Sequence, residues 1–195
     1  MSLIPSDAKK IGILVSGGID SSLLLYLLCK EIADNNLPMS IYAFSMKVKN
    51  RFQKNITQNI INYISEKTHV TVTYNSQMRK YLIRNGVKTI LDVYSLDYVF
   101  TGCNKVVYDE FTPTRIIRDD TPPVRGEPLN SSHLRPFINL DKREIIGLYV
   151  QENITDLLPL TISCGIAETH PHEIQECLEC YFCMEKRWAL DFYGL

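Results

Sequence analysis

The sequence has almost no net charge and no long apolar run. Lysine and arginine number 21 against 22 aspartates and glutamates, a net charge of −1 over 195 residues, which excludes a polybasic coat protein and an acidic tail. The longest hydrophobic run, Leu23 to Cys29, has seven residues, whereas about 20 are needed to cross a bilayer. Met1 to Lys10 contains Asp7, Lys9 and Lys10 and lacks the apolar stretch of a secretory signal. Cysteine is scarce too: six residues fall well below the roughly 8–10% of a disulfide scaffold. These absences lead us to expect a soluble, cytoplasmic protein with no membrane partner. Its thiols are then reduced, and clustered cysteines are metal ligands or catalytic groups before they are disulfides. The 45% hydrophobic content suffices for a core, and at roughly 150 residues per domain the length gives one domain with a small appendage.

Apolar runs alternate with helical patterns. Ile11–Val15 is a strand followed by a Gly/Ser turn and the apolar helix containing Leu23–Cys29. A second strand covers Ser40–Ser45. A helix from about Lys54 carries Ile56, Ile60, Ile61 and Ile64 on one face. Strands at Val70–Tyr74 and Tyr98–Thr101 flank a helical stretch around Tyr81–Leu96. This order predicts an α/β fold: a doubly wound, mainly parallel five-stranded sheet with helices on both faces. Five of nine prolines lie between Pro113 and Pro136, so most of Asp109–Leu134 reads as a long irregular loop. Asp141 with Glu144 three residues on predicts a capped helix start. The tail, Cys164–Leu195, reads as a small cysteine-bearing module ending in a short helix, which divides the chain into 1–160 and 161–195.

Two local patterns carry chemistry. Ser16-Gly17-Gly18-Ile19-Asp20-Ser21-Ser22 sits between a strand and a helix, where backbone N–H groups and the helix dipole converge on an anion. Glycines let the backbone approach phosphate oxygens and serines add donors. Asp20 would repel a phosphate unless a cation lies between them, which implies Mg²⁺. No Gly-Lys-Ser/Thr ending follows, so this is not a Walker loop. The second pattern is Cys177-x₂-Cys180-x₂-Cys183 with Cys164 upstream. Four thiolates complete a tetrahedral zinc site, whereas three of them can instead hold an iron–sulfur cluster. His170 and His172 lie between the first two ligands and read as surface residues. Cys29 reads as packed among helix leucines, and Cys103 falls where open α/β sheets bind ligands.

Ser-Gly-Gly-x-Asp-Ser after an N-terminal strand resembles the pyrophosphate-binding loop of the N-type ATP pyrophosphatases. That resemblance implies an adenine nucleotide alpha hydrolase-like fold and an enzyme that cleaves ATP to AMP and pyrophosphate. With the four-cysteine tail, the chain resembles the 7-cyano-7-deazaguanine synthases of the queuosine precursor pathway. Thr101-Gly102-Cys103-Asn104, Tyr108, Arg115, Arg135-Pro136-Phe137, the Lys142 helix start, Thr161-x-Ser163-Cys164 and Arg187-x-Ala189 carry the likeness. It implies an ATP-dependent carbon–nitrogen ligase joining 7-carboxy-7-deazaguanine and ammonia, with structural Zn²⁺ on Cys164, Cys177, Cys180 and Cys183. Ser16, Gly17, Gly18, Asp20, Ser21 and Ser22 would take pyrophosphate and Mg²⁺. Thr101, Gly102 and Asn104 would line the pocket. Asp20, Lys142 and Arg115 would be catalytic, with Arg187 a further cation. The family's aromatic-x-Gln-Arg-His segment is replaced here by Phe44–Lys49.

Two other readings stand beside this one. From Lys47 to Lys88 the chain carries nine lysines and arginines and one acid, +8 against −9 for the remainder. Such a surface attracts RNA phosphates, which makes a tRNA-sulfurating enzyme with tRNA as partner the runner-up. The third reading is a non-catalytic ATP-binding module. A homodimer is compatible with all three.

Overall fold

The protein is described from a computed structural model covering residues 2–46, 51–78, 87–105, 107, 131–164 and 176–195. Five strands form one parallel sheet in the order β3-β2-β1-β4-β5. They are β1 (Lys10–Leu14), β2 (Ser40–Met46), β3 (Val72–Met78), β4 (Tyr98–Thr101) and β5 (His133–Leu134). The helices are α1 (Ile19–Asp34), α2 (Arg51–Thr68), α3 (Val87–Tyr94), α4 (Lys142–Gln151) and α5 (Tyr181–Phe192), with a 3₁₀ segment at Thr155–Leu160. This is the expected doubly wound α/β architecture.

Alternation along the strands separates two cores. Ile11 and Ile13 of β1, Ile41 and Ala43 of β2 and Phe100 of β4 face one side, against the buried leucines of α1 and against α2, α4 and Ala189 of α5. Phe44 and Val99 face the other side, where Val87, Ile90, Leu91 and Leu96 cover them. Helix α1 buries ten of its sixteen residues, because it packs between the sheet and both α2 and α4. At about 1.5–3 kcal/mol per buried leucine-sized side chain, it is the chief anchor of the larger core.

Helix α4 starts as its sequence dictates. Asp141 accepts hydrogen bonds from the Arg143 and Glu144 N–H groups, and the Glu144 carboxylate accepts from the Asp141 N–H, a complete capping box. Two local expectations shift, and one element was not expected. β5 falls at His133–Leu134, inside the stretch expected to be loop, because parallel pairing to Val99 and Phe100 extends those residues. β3 begins at Val72 rather than Val70, since His69 adopts φ +58° to leave α2. The 3₁₀ segment, with Pro159 inside it, carries no helical period that would have announced it. Part of the expected 81–96 helix and residues 108–130 lie outside the described residues.

Candidate nucleotide site and cysteine centre

Strand order reverses between β1 and β4, since β1 leads to β2 on one side while β4 and β5 lie on the other. Open α/β sheets bind ligands at the carboxyl ends of the strands at this point. The 16–22 loop leaves β1 there. Gly17 takes φ +86°, a left-handed conformation that glycine adopts without a Cβ clash, and Gly18 is the N-cap of α1. Ser16 Oγ accepts from the Gly18 N–H at 3.3 Å, and Ser22 Oγ donates to the Gly18 carbonyl at 2.8 Å. Gly102, after β4, packs directly on the loop. A Cβ there would lie 2.8 Å from the Ser21 nitrogen and 2.9 Å from the Asp20 carbonyl carbon, so only glycine allows the β4 end to close on the first turn of α1.

A cavity of about 290 Å³ opens at this junction, lined by Ser16, Asp20, Ser21, Thr101, Gly102, Cys103, Asn104 and Lys142 of the main fold and by Tyr181, Phe182 and Glu185 of α5. Expected site residues from the loop, the β4 end and α4 thus converge on one cavity. Lys142 Nζ donates to both Asp20 carboxylate oxygens, at 2.7 and 2.6 Å, and lies 3.3 Å from Glu185 Oε2. Burial acts to depress the Lys142 ammonium, but the Asp20 and Glu185 charges outweigh it and raise its pKa. Burial raises the Glu185 carboxyl, with Lys142 opposing. With all three ionised, the cluster carries −1 where a polyanion would enter, a donor set that fits a divalent counter-cation. The Tyr149 hydroxyl, buried in α4, donates to the Ile19 carbonyl at 2.8 Å and ties the same helix to the loop a second time.

The four cysteines expected to ligate metal come together. The sulfurs of Cys164, Cys177, Cys180 and Cys183 all lie within 4.8 Å of one another, with 3.5 Å between Cys180 and Cys183 and 3.9 Å between Cys177 and Cys183. A metal at about 2.3 Å from each of four thiolates sets sulfur–sulfur distances of about 3.8 Å. Four sulfurs this close could share one metal ion. A cubane would put each thiolate on a different iron and spread them further apart. Burial raises the Cys177 thiol, but the Glu179 and Cys180 N–H groups outweigh it and bring the pKa down to about 7, which favours the thiolate that ligates metal. Burial, with Cys180 adding to it, pushes Cys183 up.

The two sites touch. Ser163, next to Cys164, accepts the Ile19 N–H on its Oγ at 3.3 Å, and the Ile162 N–H donates to the Gly17 carbonyl at 2.9 Å. Glu176, next to Cys177, accepts from the Ser163 N–H and from Lys186 Nζ, each at 2.9 Å. Glu185, Tyr181, Phe182, Tyr149 and Glu176 were not anticipated. Their only signal is position on an amphipathic helix or beside a ligand cysteine, and many structural residues share that signal.

Other expectations fall elsewhere. Arg115, Tyr108, His170 and His172 lie outside the described residues. Arg187 is 71% exposed, 3.9 Å from Asp191, and is not among the residues lining the cavity. Cys29 is buried, and burial pushes its thiol up to about 12, as expected for a packed residue. Of the nine lysines and arginines in the 47–88 segment, only Lys67 and Lys88 have described side chains; Lys67 lies 3.5 Å from Asp156. A larger open groove of about 1110 Å³ lies by the strands' N-terminal ends. It holds none of the loop residues, and its Glu31 carboxylate is already satisfied by Ser2 Oγ and by the Leu3 and Ile4 N–H groups. Among the described residues no helix is long and apolar enough to cross a membrane.

No family model matches the sequence, and no curated protein matches it. Among solved structures, the U34-tRNA thiolase NcsA from Methanococcus maripaludis with its [4Fe-4S] cluster matches at 14% identity with a TM-score of 0.53, covering 98% of this chain and 73% of that one. The FMN adenylyltransferase of Candida glabrata, in complex with FMN and an ATP analogue, matches at 14% identity and a TM-score of 0.48 over 76% of this chain and 50% of that one. At such identities the thiolase likeness is one of fold: the chain has the parallel α/β architecture of that enzyme.

Proposed function

We propose that the protein is an ATP-dependent adenylating enzyme of the N-type ATP pyrophosphatase kind, with a nucleotide domain at 1–160 and a metal-stabilised module at 161–195. The observation that carries this reading is the Ser16–Ser22 loop, placed at the switch point of the sheet with Asp20, Lys142 and the Thr101–Asn104 segment facing one cavity. Ser16, Gly17, Gly18 and Ser21 hold the β- and γ-phosphates of ATP, whereas Ser22, fully buried with its N–H and hydroxyl both on the Gly18 carbonyl, shapes the loop from behind. Mg²⁺, when bound, offsets the phosphate charge beside Asp20. Lys142 places a fixed cation at the cavity wall, where charge builds on the α-phosphate as pyrophosphate leaves.

The substrate class we favour is a small heterocyclic carboxylate, 7-carboxy-7-deazaguanine. Its carboxylate oxygen attacks the α-phosphorus and pyrophosphate departs. Ammonia then displaces AMP to give an amide; the amide oxygen attacks the α-phosphorus of a second ATP, pyrophosphate leaves, and loss of AMP, which carries that oxygen away, together with the nitrogen-bound protons gives 7-cyano-7-deazaguanine. Four thiolates around one metal leave no open coordination position, which suits a Zn²⁺ that folds the tail and does not suit a cluster that handles sulfur. That closed set favours the ligase over a tRNA-sulfurating enzyme, which the thiolase likeness and the basic segment keep as the second reading.

Incubation with ATP and Mg²⁺ tests the choice. AMP and pyrophosphate formed only with 7-carboxy-7-deazaguanine and ammonium establish the ligase. Products formed only with tRNA establish the second reading. Nucleotide binding without AMP under any condition leaves the non-catalytic module.

A further inference from the structure

Among the described residues, Glu185 is the one carboxylate at the nucleotide cavity that comes from the cysteine module, and the pyrophosphatase reading assigns it no task. Its side chain is 3% exposed. One oxygen lies 3.3 Å from Lys142 Nζ, and the other accepts from the Tyr181 hydroxyl at 3.2 Å. Lys142 is nearly as enclosed, with 4% of its side chain exposed, whereas Asp20 is 21% exposed and faces the cavity. The cluster is therefore asymmetric: one ammonium lies between an accessible carboxylate and an inaccessible one.

That asymmetry matters when nucleotide arrives. Resting on the proposed function, Asp20 is the carboxylate that a magnesium ion on the phosphates can reach, and its two oxygens are both engaged by Lys142. If Asp20 turned to the cation with no second partner for Lys142, a buried ammonium would be left uncompensated, which is strongly unfavourable. We propose that Glu185 is a positioning residue that retains the Lys142 ammonium when Asp20 is released to the nucleotide-bound cation. Tyr181 fixes the Glu185 carboxylate for that exchange. The cysteine module thus contributes a working group to the nucleotide site as well as folding the tail.

The test is ATP affinity measured by titration calorimetry with Mg²⁺ and again in Mg²⁺-free buffer without chelator, for the full-length metal-loaded wild type and for Glu185→Gln. Without Mg²⁺, Asp20 stays on Lys142 and Glu185 is silent. The variant should then match the wild type within about twofold, while losing roughly tenfold or more of the Mg²⁺-dependent gain in affinity, as expected when a buried ammonium loses its charged partner. Cysteine-bound metal content should be unchanged. A variant that binds as tightly as the wild type both with and without Mg²⁺ overturns the proposal, and so does an equal loss under both conditions, which marks a merely structural role. If Glu185→Gln does not fold, Tyr181→Phe decides: a selective loss of the Mg²⁺-dependent gain supports the exchange, and any other pattern overturns it. A wild type that binds no nucleotide removes the proposed function and this inference with it, whereas wild-type binding with an unaffected variant removes the inference alone.

Discussion

The 16–22 loop and the cysteine cluster face each other across Ser163, yet they are built on opposite principles. The loop is a backbone device: glycines at φ +86° and at a helix N-cap, serines bonded among themselves, and the start of a helix dipole that needs an anion from outside. The cluster is a side-chain device whose four sulfurs, all within 4.8 Å, already supply every ligand one metal requires. An open site must be held in shape by its surroundings because its ligand is absent for part of the cycle. A closed site, once loaded, is rigid. Here the two regions are joined by the contacts of Ile162, Ser163 and Glu185.

Breaking the closed site should give the largest effect. Cys180→Ser removes one of four ligands, and because metal binding is linked to folding the variant should lose its metal and melt more than about 10 °C lower, at about 2–4 °C per kcal/mol for a chain of this size. If the loop borrows its shape from the cluster, ATP affinity falls in the same variant. Metal analysis, thermal melts and an ATP titration on one preparation decide the matter. Unchanged ATP affinity in a metal-free protein would show two independent regions.

Second in size is the charge cluster where the regions meet. Lys142→Met leaves Asp20 and Glu185 without their cation, and removing one partner of a buried ion pair costs about 3–5 kcal/mol. The sign of its pH dependence follows from Glu185, whose pKa is raised by burial and rises further without the lysine. A carboxyl with a raised folded-state pKa destabilises the fold when ionised. The penalty should therefore be full above that pKa and shrink as pH falls through it, when Glu185 takes up a proton. Urea melts across that range read the effect, and a penalty independent of pH would mean that packing dominates over charge.

The loop, the capping box at Asp141 and the cysteine quartet were legible in the sequence because each is set by neighbours a few residues apart: a glycine pair, an Asp-x-x-Glu spacing, a repeated x₂ interval. The sheet was legible for a related reason, since strand–helix alternation with short connections leaves few topologies. The partnership of Lys142 with Glu185 was not. It depends on α5 packing across α4, and nothing in Met184-Glu185-Lys186 separates a buried acid from a solvated one. The two-residue β5 was hidden similarly, because His133–Leu134 is a strand only by virtue of β4 beside it.

A smaller and cleaner probe is Ser163→Ala, which deletes the acceptor of the Ile19 N–H while leaving all four thiolates in place. One lost hydrogen bond corresponds to about 0.5–1.5 kcal/mol. The variant should keep its metal, lose stability within that range in urea, and bind ATP a few-fold more weakly. Retained metal with weaker nucleotide binding would locate the coupling in the Ser163 contact itself. Retained metal with unchanged nucleotide binding would shift attention from Ser163 to the α5 side chains at the cavity, Glu185 among them.

The smallest effect on ATP binding is expected at Asp141, and it separates two ways of holding Lys142. Asp141→Ala abolishes the capping box, at about 0.5–2 kcal/mol, and frays the first turn of α4, where Lys142 is the first residue. If that helix end alone aims the lysine, fraying should weaken ATP binding in proportion to the loss of stability. But Lys142 is also gripped by Asp20 and Glu185, and Tyr149, two turns along, anchors the helix to Ile19. Those contacts should hold the ammonium in place while the cap is lost. We therefore expect a lower urea midpoint with ATP affinity within twofold of wild type, roughly the resolution of a 0.4 kcal/mol difference. A larger loss of affinity would mean that the cap, a purely local feature of the sequence, sets the geometry of the site more than the long-range cluster does.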